Sequence, residues 1–180
     1  MYQSNYHRRV FVPKLVLPIL LFLSFLLDGI NNEFFSSVLN LFGFQILPNL
    51  FLVFIFYILR FRLKKEFNFY IWILIIGIIF DLYFSLSIGI YLFSYLISAF
   101  IMEFIDKKLE NKIYNSWITA IVGLTSFYLF AYFGILLISH PNQTFVQYFI
   151  FTFIPTILFN TVLTYIFYKP ALAFSYWLVP

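Results

Sequence analysis

Between Ile113 and Tyr168 the chain carries no Asp, Glu, Lys or Arg, and that run decides what the molecule can be. A helix that spans a bilayer needs ~20 apolar residues at ~1.5 Å each, so this one stretch has room for two. The rest of the sequence agrees with it. Of 180 residues, 63% are hydrophobic and 10% charged, where a soluble domain has about a quarter charged. There is too little polar surface to cover a globule, so apolar side chains must face lipid. The expectation is an all-α integral membrane protein, a single membrane domain over residues 1–180.

Uncharged runs set the spans. The first is Leu15 to Leu27, extended if Lys14 snorkels to the headgroups, and the second is Phe34 to Leu59, with Pro48 inside it. The third, Phe67 to Ile105, carries only Asp81 and Glu103. At about twice a spanning length it must fold back, with Asp81–Gly89 as the tip. Ile113–Tyr168 breaks at Ser139–Thr144, where Pro, Asn and Gln stand in a row. Six transmembrane helices follow, over roughly 11–31, 44–61, 67–83, 86–105, 115–138 and 146–168.

All eleven Lys and Arg residues then fall on one side, in the N-terminal segment, Arg60–Lys65, Lys107–Lys112 and Lys169. The positive-inside rule places that side, with both termini, in the cytoplasm. The opposite side shows Asp28, Glu33, Asp81 and His140. Basic residues confined to short juxtamembrane loops exclude a nucleic-acid surface. The first apolar run has no small-residue cleavage site near Asp28 and reads as an uncleaved span. No internal repeat is evident.

The catalytic inventory is thin. There is no cysteine, and His7 and His140 lie on opposite sides, so neither a thiolate site nor a two-histidine metal site is expected. No cofactor is expected, and no enzyme. The intramembrane acids are what remains. Glu103 stands one turn before Lys107, the order that favours an interfacial ion pair. Asp28 reads as a solvated residue ending the first span. Asp81 has two readings: a cap at the hairpin tip reaching outer-face water, or a group inside the bundle holding a neighbouring span or a partner. Gly77 and Gly89 flank it and permit close helix approach. Asn160 is a second polar intruder, five residues after Pro155, which frees a backbone carbonyl. With Thr156, Thr161 and Thr164 it reads as a kinked helix satisfying itself, or as a partner contact.

The stretch Gly77–Gly89, "GIIFDLYFSLSIG", resembles the glycine, aspartate-leucine and leucine/isoleucine-glycine signature of the rod shape-determining protein MreD family. "IPTILFNTVLTYIFYKP" resembles that family's last span. The usual small residue before the final pair is here Ser87, and the first outer segment, rich in Phe and Asn, matches no pattern. The resemblance implies a non-enzymatic, multi-pass component of the cell membrane in the bacterial elongation machinery. It implies an MreC-like single-span partner, association with MreB, RodA and a class B penicillin-binding protein, and a role in organising peptidoglycan synthesis. It makes Gly77, Asp81, Gly89, Pro155 and Asn160 signature positions for packing or partner contact. The competing reading is the substrate-binding membrane subunit of an energy-coupling-factor vitamin transporter, with Tyr83, Tyr91, Trp117, Asn142 and Gln143 around a solute. A proton-coupled carrier using Asp81 and Glu103 is a third, weakened by the absence of an inverted repeat.

Overall fold

The computed structural model describes the backbone of residues 2–39, 43–84, 89–109, 113–138 and 144–178, with side chains for 13–31, 43–84, 89–109, 114–138 and 144–178. Among these residues there are six helices and no strand: α1 (Tyr2–Leu39), α2 (Leu50–Arg60), α3 (Phe69–Phe84), α4 (Ile90–Lys108), α5 (Ile113–Ile138) and α6 (Phe145–Leu178). Lipid offers no hydrogen bonds, so backbone groups must pair internally, and a helix is the local way to do so. Pro13–Asn31, Tyr114–Ile138 and Phe145–Leu178 are each long and apolar enough to cross a bilayer. The chain is an all-α, multi-pass membrane protein.

Two expected spans differ in kind. The segment expected as a continuous span over 44–61 is helical only from Leu50; residues 44–49 form neither helix nor strand. At full extension six residues reach ~20 Å and the 11-residue helix covers ~17 Å, together enough for a ~30 Å hydrocarbon layer. Pro48 restricts Leu47 to extended backbone, and Asn49 then starts the helix by accepting Leu52 N–H at 2.9 Å. The last span also outruns its expected end: α6 continues through Pro170 to Leu178. It begins with a capping box at Thr144 and Gln147 and contains one π turn, Phe149–Phe153. Of the expected tip Asp81–Gly89, residues 85–88 lie outside the described residues, as do 139–143 of the expected break Ser139–Thr144, with His140 and the candidates Asn142 and Gln143, and the side chain of His7.

α4 is the hub, packed most extensively on α5, then on α3 and α2. Its Tyr95 is fully buried, with the rings of Phe51 at 4.8 Å, Phe80 at 5.4 Å and Phe127 at 4.4 Å. Helices approach closely where side chains are smallest. A Cβ on Gly77 would stand 3.0 Å from Leu92 Cα, and one on Gly123 only 1.9 Å from Met102 Cε. At the basic end, Arg60 of α2 bonds Asp106 of α4 at 2.7 Å. Glu103 pairs with Lys107 at 2.6 Å as expected, and it also bonds Lys64 and the Tyr70 hydroxyl. One helical ion pair is thus part of a clasp across α3, α4 and the α2–α3 turn.

Candidate functional site

At the end opposite that clasp, two aspartates do the same work. Asp81, in the last turn of α3, is fully buried. Its carboxylate accepts Gly89 N–H at 2.8 Å, Tyr91 N–H at 2.8 Å and Leu92 N–H at 3.2 Å, the open donors at the start of α4. A helix N-terminus carries about half a positive charge and unpaired N–H groups, so the aspartate and the helix start satisfy each other. Asp81 thus caps the turn from inside the bundle; the contact with outer-face water that one sequence reading gave it is absent, since it is fully buried. Gly89 contributes more than small size. Its φ of 112° is open to glycine and strained for other residues, and that backbone turn aims its N–H at Asp81.

Asp28 was expected to be solvated, and the structure corrects this. It is fully buried, and its two oxygens accept Leu50 N–H at 2.5 Å and Phe51 N–H at 2.8 Å. It caps α2 from α1 as Asp81 caps α4 from α3. The neighbouring Gly29 and Asn31 suggested an end in water; the start of α2, distant in sequence, supplies donors that replace water. So each of the first two helical pairs is tied by an aspartate on its first helix, a repetition of device that the sequence does not display.

The segment before α2 is held by a polar stripe on α6. Thr152, Thr156, Asn160 and Thr164 recur every four residues on one helical face, and all four are buried. Gln45 N–H donates to Phe151 O at 2.9 Å, and Pro155, four residues after Phe151, has no N–H to offer that carbonyl. Leu47 N–H donates to Thr156 Oγ1 at 3.1 Å, and Asn49 N–H to Asn160 Oδ1 at 2.8 Å. The register is metric. At full extension the four residues from Gln45 to Asn49 reach ~13 Å, and nine helical residues from Phe151 to Asn160 cover ~13.5 Å. Leu47 O accepts both Asn160 Nδ2 at 3.0 Å and the Tyr128 hydroxyl at 2.7 Å.

Asn160 therefore does not merely satisfy its own helix. It bonds Thr156 O at 2.9 Å within α6 and also clamps both backbone groups of another segment. Thr164 donates back to Asn160 O, and its own carbonyl accepts the Tyr57 hydroxyl at 2.6 Å. Thr161, expected to join this set, is half-buried, and its buried hydroxyl has no hydrogen-bond partner among the described residues. The described residues of the transporter reading, Tyr83, Tyr91 and Trp117, do not converge. Tyr83 is 79% exposed at the end of α3. Tyr91 packs on Phe127, while Trp117, ~15 Å earlier along α5, packs on Tyr165 of α6.

These arrangements can hold backbone in place; every oxygen of Asp28 and Asp81 is engaged by a fixed amide. Among the described residues no three His, Cys, Asp or Glu side chains gather to hold a metal. Neither the curated proteins nor the solved structures include a significant match to the chain. The family model for the rod shape-determining protein MreD does match, over residues 8–176, and the chain belongs to that family of cell-shape membrane proteins.

Proposed function

We propose that this protein is a non-enzymatic scaffold of the cell-elongation machinery, with both termini cytoplasmic, that binds an MreC-like single-span partner and helps organise peptidoglycan synthesis. MreB, RodA and a class B penicillin-binding protein are the wider assembly. The observation that carries this reading is the use made of the buried acids. A carrier or a general acid needs a carboxylate with a free oxygen and a path for a proton; Asp28 and Asp81 instead bond rigid backbone donors. That chemistry supports a fixed shape. Membership in a cell-shape family supports the assembly in which the shape is used.

A single-span partner needs an outward helical ridge. On α3 the exposed residues Ile71, Leu74, Ile75, Ile78 and Leu82 follow helical spacing along one side. In this proposal Asp81, Gly77 and Gly89 act behind the ridge by fixing α3 against α4, and Pro155 and Asn160 fix the segment before α2. The test is co-purification of the full chain with the MreC-like protein of the same organism. Wild type retains the partner, Asp81→Leu inserts but loses it, and Glu103→Gln retains it. A stoichiometric vitamin in native mass spectrometry, or no partner retained by wild type, would overturn the proposal in favour of transport.

A further inference from the structure

At the basic end a groove opens between α1, α2 and α6. Leu20, Leu27, Val53, Phe54, Phe167 and Phe174 line it, and its volume is about 380 Å³. Two hydroxyls reach its wall, and both are spoken for: Ser24 donates to Leu21 O at 2.8 Å and Tyr57 to Thr164 O at 2.6 Å. The groove offers a ligand nothing polar. Phe61 lies at its rim and also lines a second depression with Arg60 and Arg62, which is adjoined by a third holding Arg62, Lys64, Lys65 and Lys107. An apolar slot thus runs into a cationic mouth.

The charges at that mouth do not cancel. Asp106 is taken by Arg60, and Glu103 by Lys64 and Lys107. Arg62 and Lys65 have no acidic partner among the described residues, and both are exposed. Arg62 is also the one non-glycine described residue with positive φ, at 58°. It stands just past the end of α2, with its N–H on Leu59 O at 3.1 Å, the position where helices favour glycine. A left-handed backbone is strained for an arginine, whose Cβ crowds the following carbonyl oxygen. Strain of that kind persists where a side chain is needed.

We propose that this groove and its mouth bind one anionic phospholipid, with an acyl chain between α1, α2 and α6 and the headgroup phosphate on Arg62 and Lys65. Along α2 the lining runs from Leu50 to the C-cap residue Phe61, ~16 Å, comparable to one leaflet of a ~30 Å hydrocarbon layer. Basic recesses between membrane helices select anionic headgroups, and each Lys or Arg near an anionic surface adds to that selection.

The experiment uses the full chain in mild detergent, with native mass spectrometry after adding phosphatidylglycerol or phosphatidylcholine of the same acyl chains. Wild type retains phosphatidylglycerol about tenfold over phosphatidylcholine, as two headgroup cations imply. Arg62→Gly with Lys65→Ala loses that preference while melting at or above the wild-type temperature in lipid-free detergent, because glycine suits the left-handed backbone. Arg62→Lys keeps most of the preference. Ala171→Trp, which fills the groove, lowers retention of both lipids. Equal retention of the two lipids by wild type would overturn the proposal, as would an unchanged preference in the double variant. Full competition by inorganic phosphate would mean a headgroup site alone, and it too would overturn the groove's role. Should Arg62→Gly misfold, Arg62→Gln with Lys65→Gln supplies the same comparison.

Discussion

Leu47 O has two donors, and this allows a sharp test of the inserted segment. Asn160→Leu keeps size but removes the acceptor for Asn49 N–H and one of the two donors to Leu47 O. The orphaned N–H costs about 1–3 kcal/mol and the lost hydrogen bond ~1 kcal/mol, in all roughly 2–4 kcal/mol. Tyr128→Phe removes the other donor, at ~0.5–1.5 kcal/mol, because Asn160 still satisfies the carbonyl. Only the double variant leaves Leu47 O with neither. Its loss should exceed the sum of the two single losses by about 1–3 kcal/mol. Thermal unfolding in detergent reads this directly: at ~2–4 °C per kcal/mol for a chain of this size, Asn160→Leu lowers Tm by roughly 4–16 °C. Additive losses across the cycle would refute the shared-carbonyl geometry. So would a Tm for Asn160→Leu equal to that of wild type.

The other predictions concern the caps, the clasp and the close approaches. Asp28→Leu orphans two amides and should be destabilised by roughly 2–6 kcal/mol, in the same class as Asp81→Leu; a solvated Asp28 would show almost no change in Tm. Asp81→Asn should be milder than Asp81→Leu, since one amide oxygen keeps the Gly89 and Leu92 donors while the Tyr91 donor is lost. Glu103→Gln removes the charge that Lys64 and Lys107 pair with and leaves one accepting oxygen where Lys64, Lys107 and Tyr70 had two, and about 1–2 kcal/mol is expected, the Lys107 pair adding little because that lysine is 70% exposed. Gly77→Ala should cost more than Gly123→Ala, although the latter meets its neighbour sooner. Met102 is a flexible side chain that can move, and Leu92 Cα is backbone that cannot. Reporter fusions after Lys65, Lys112 and Pro180 should read cytoplasmic and one near Asn142 external; an external signal at Lys65 would break the six-span topology.

What was legible in the sequence was whatever acts over a few residues. Uncharged length announced the membrane and most helices, and Asp81 stands eight residues from the glycine it bonds, so its role could be read as one of two options. Asp28 offered no such clue, because its donors lie 22 and 23 residues away and the intervening segment hides the link. The non-helical segment before α2 was missed for a related reason. An uncharged run in lipid reads as helix, since helix is the only local way to satisfy its backbone. Here satisfaction comes from residues more than a hundred positions later, on α6. Two signals were present. Pro48-Asn49 before an apolar run is a helix-start pattern, and Thr152, Thr156, Asn160 and Thr164 repeat every fourth residue, a polar face that needs something to bond.

Side chains of distant helices, rather than local helix, hold the backbone at the end opposite the basic clasp. Hydrogen–deuterium exchange on the wild-type chain in detergent tests it most directly, resolved over residues 43–53 and 89–93. The amides of Leu47, Asn49, Leu50 and Phe51, and of Gly89, Tyr91 and Leu92, should be slowed by at least roughly a hundredfold relative to an unstructured chain, equivalent to ~2.7 kcal/mol of local opening. Exchange of these amides at the rate of an open loop, with α5 and α6 still protected, would contradict it.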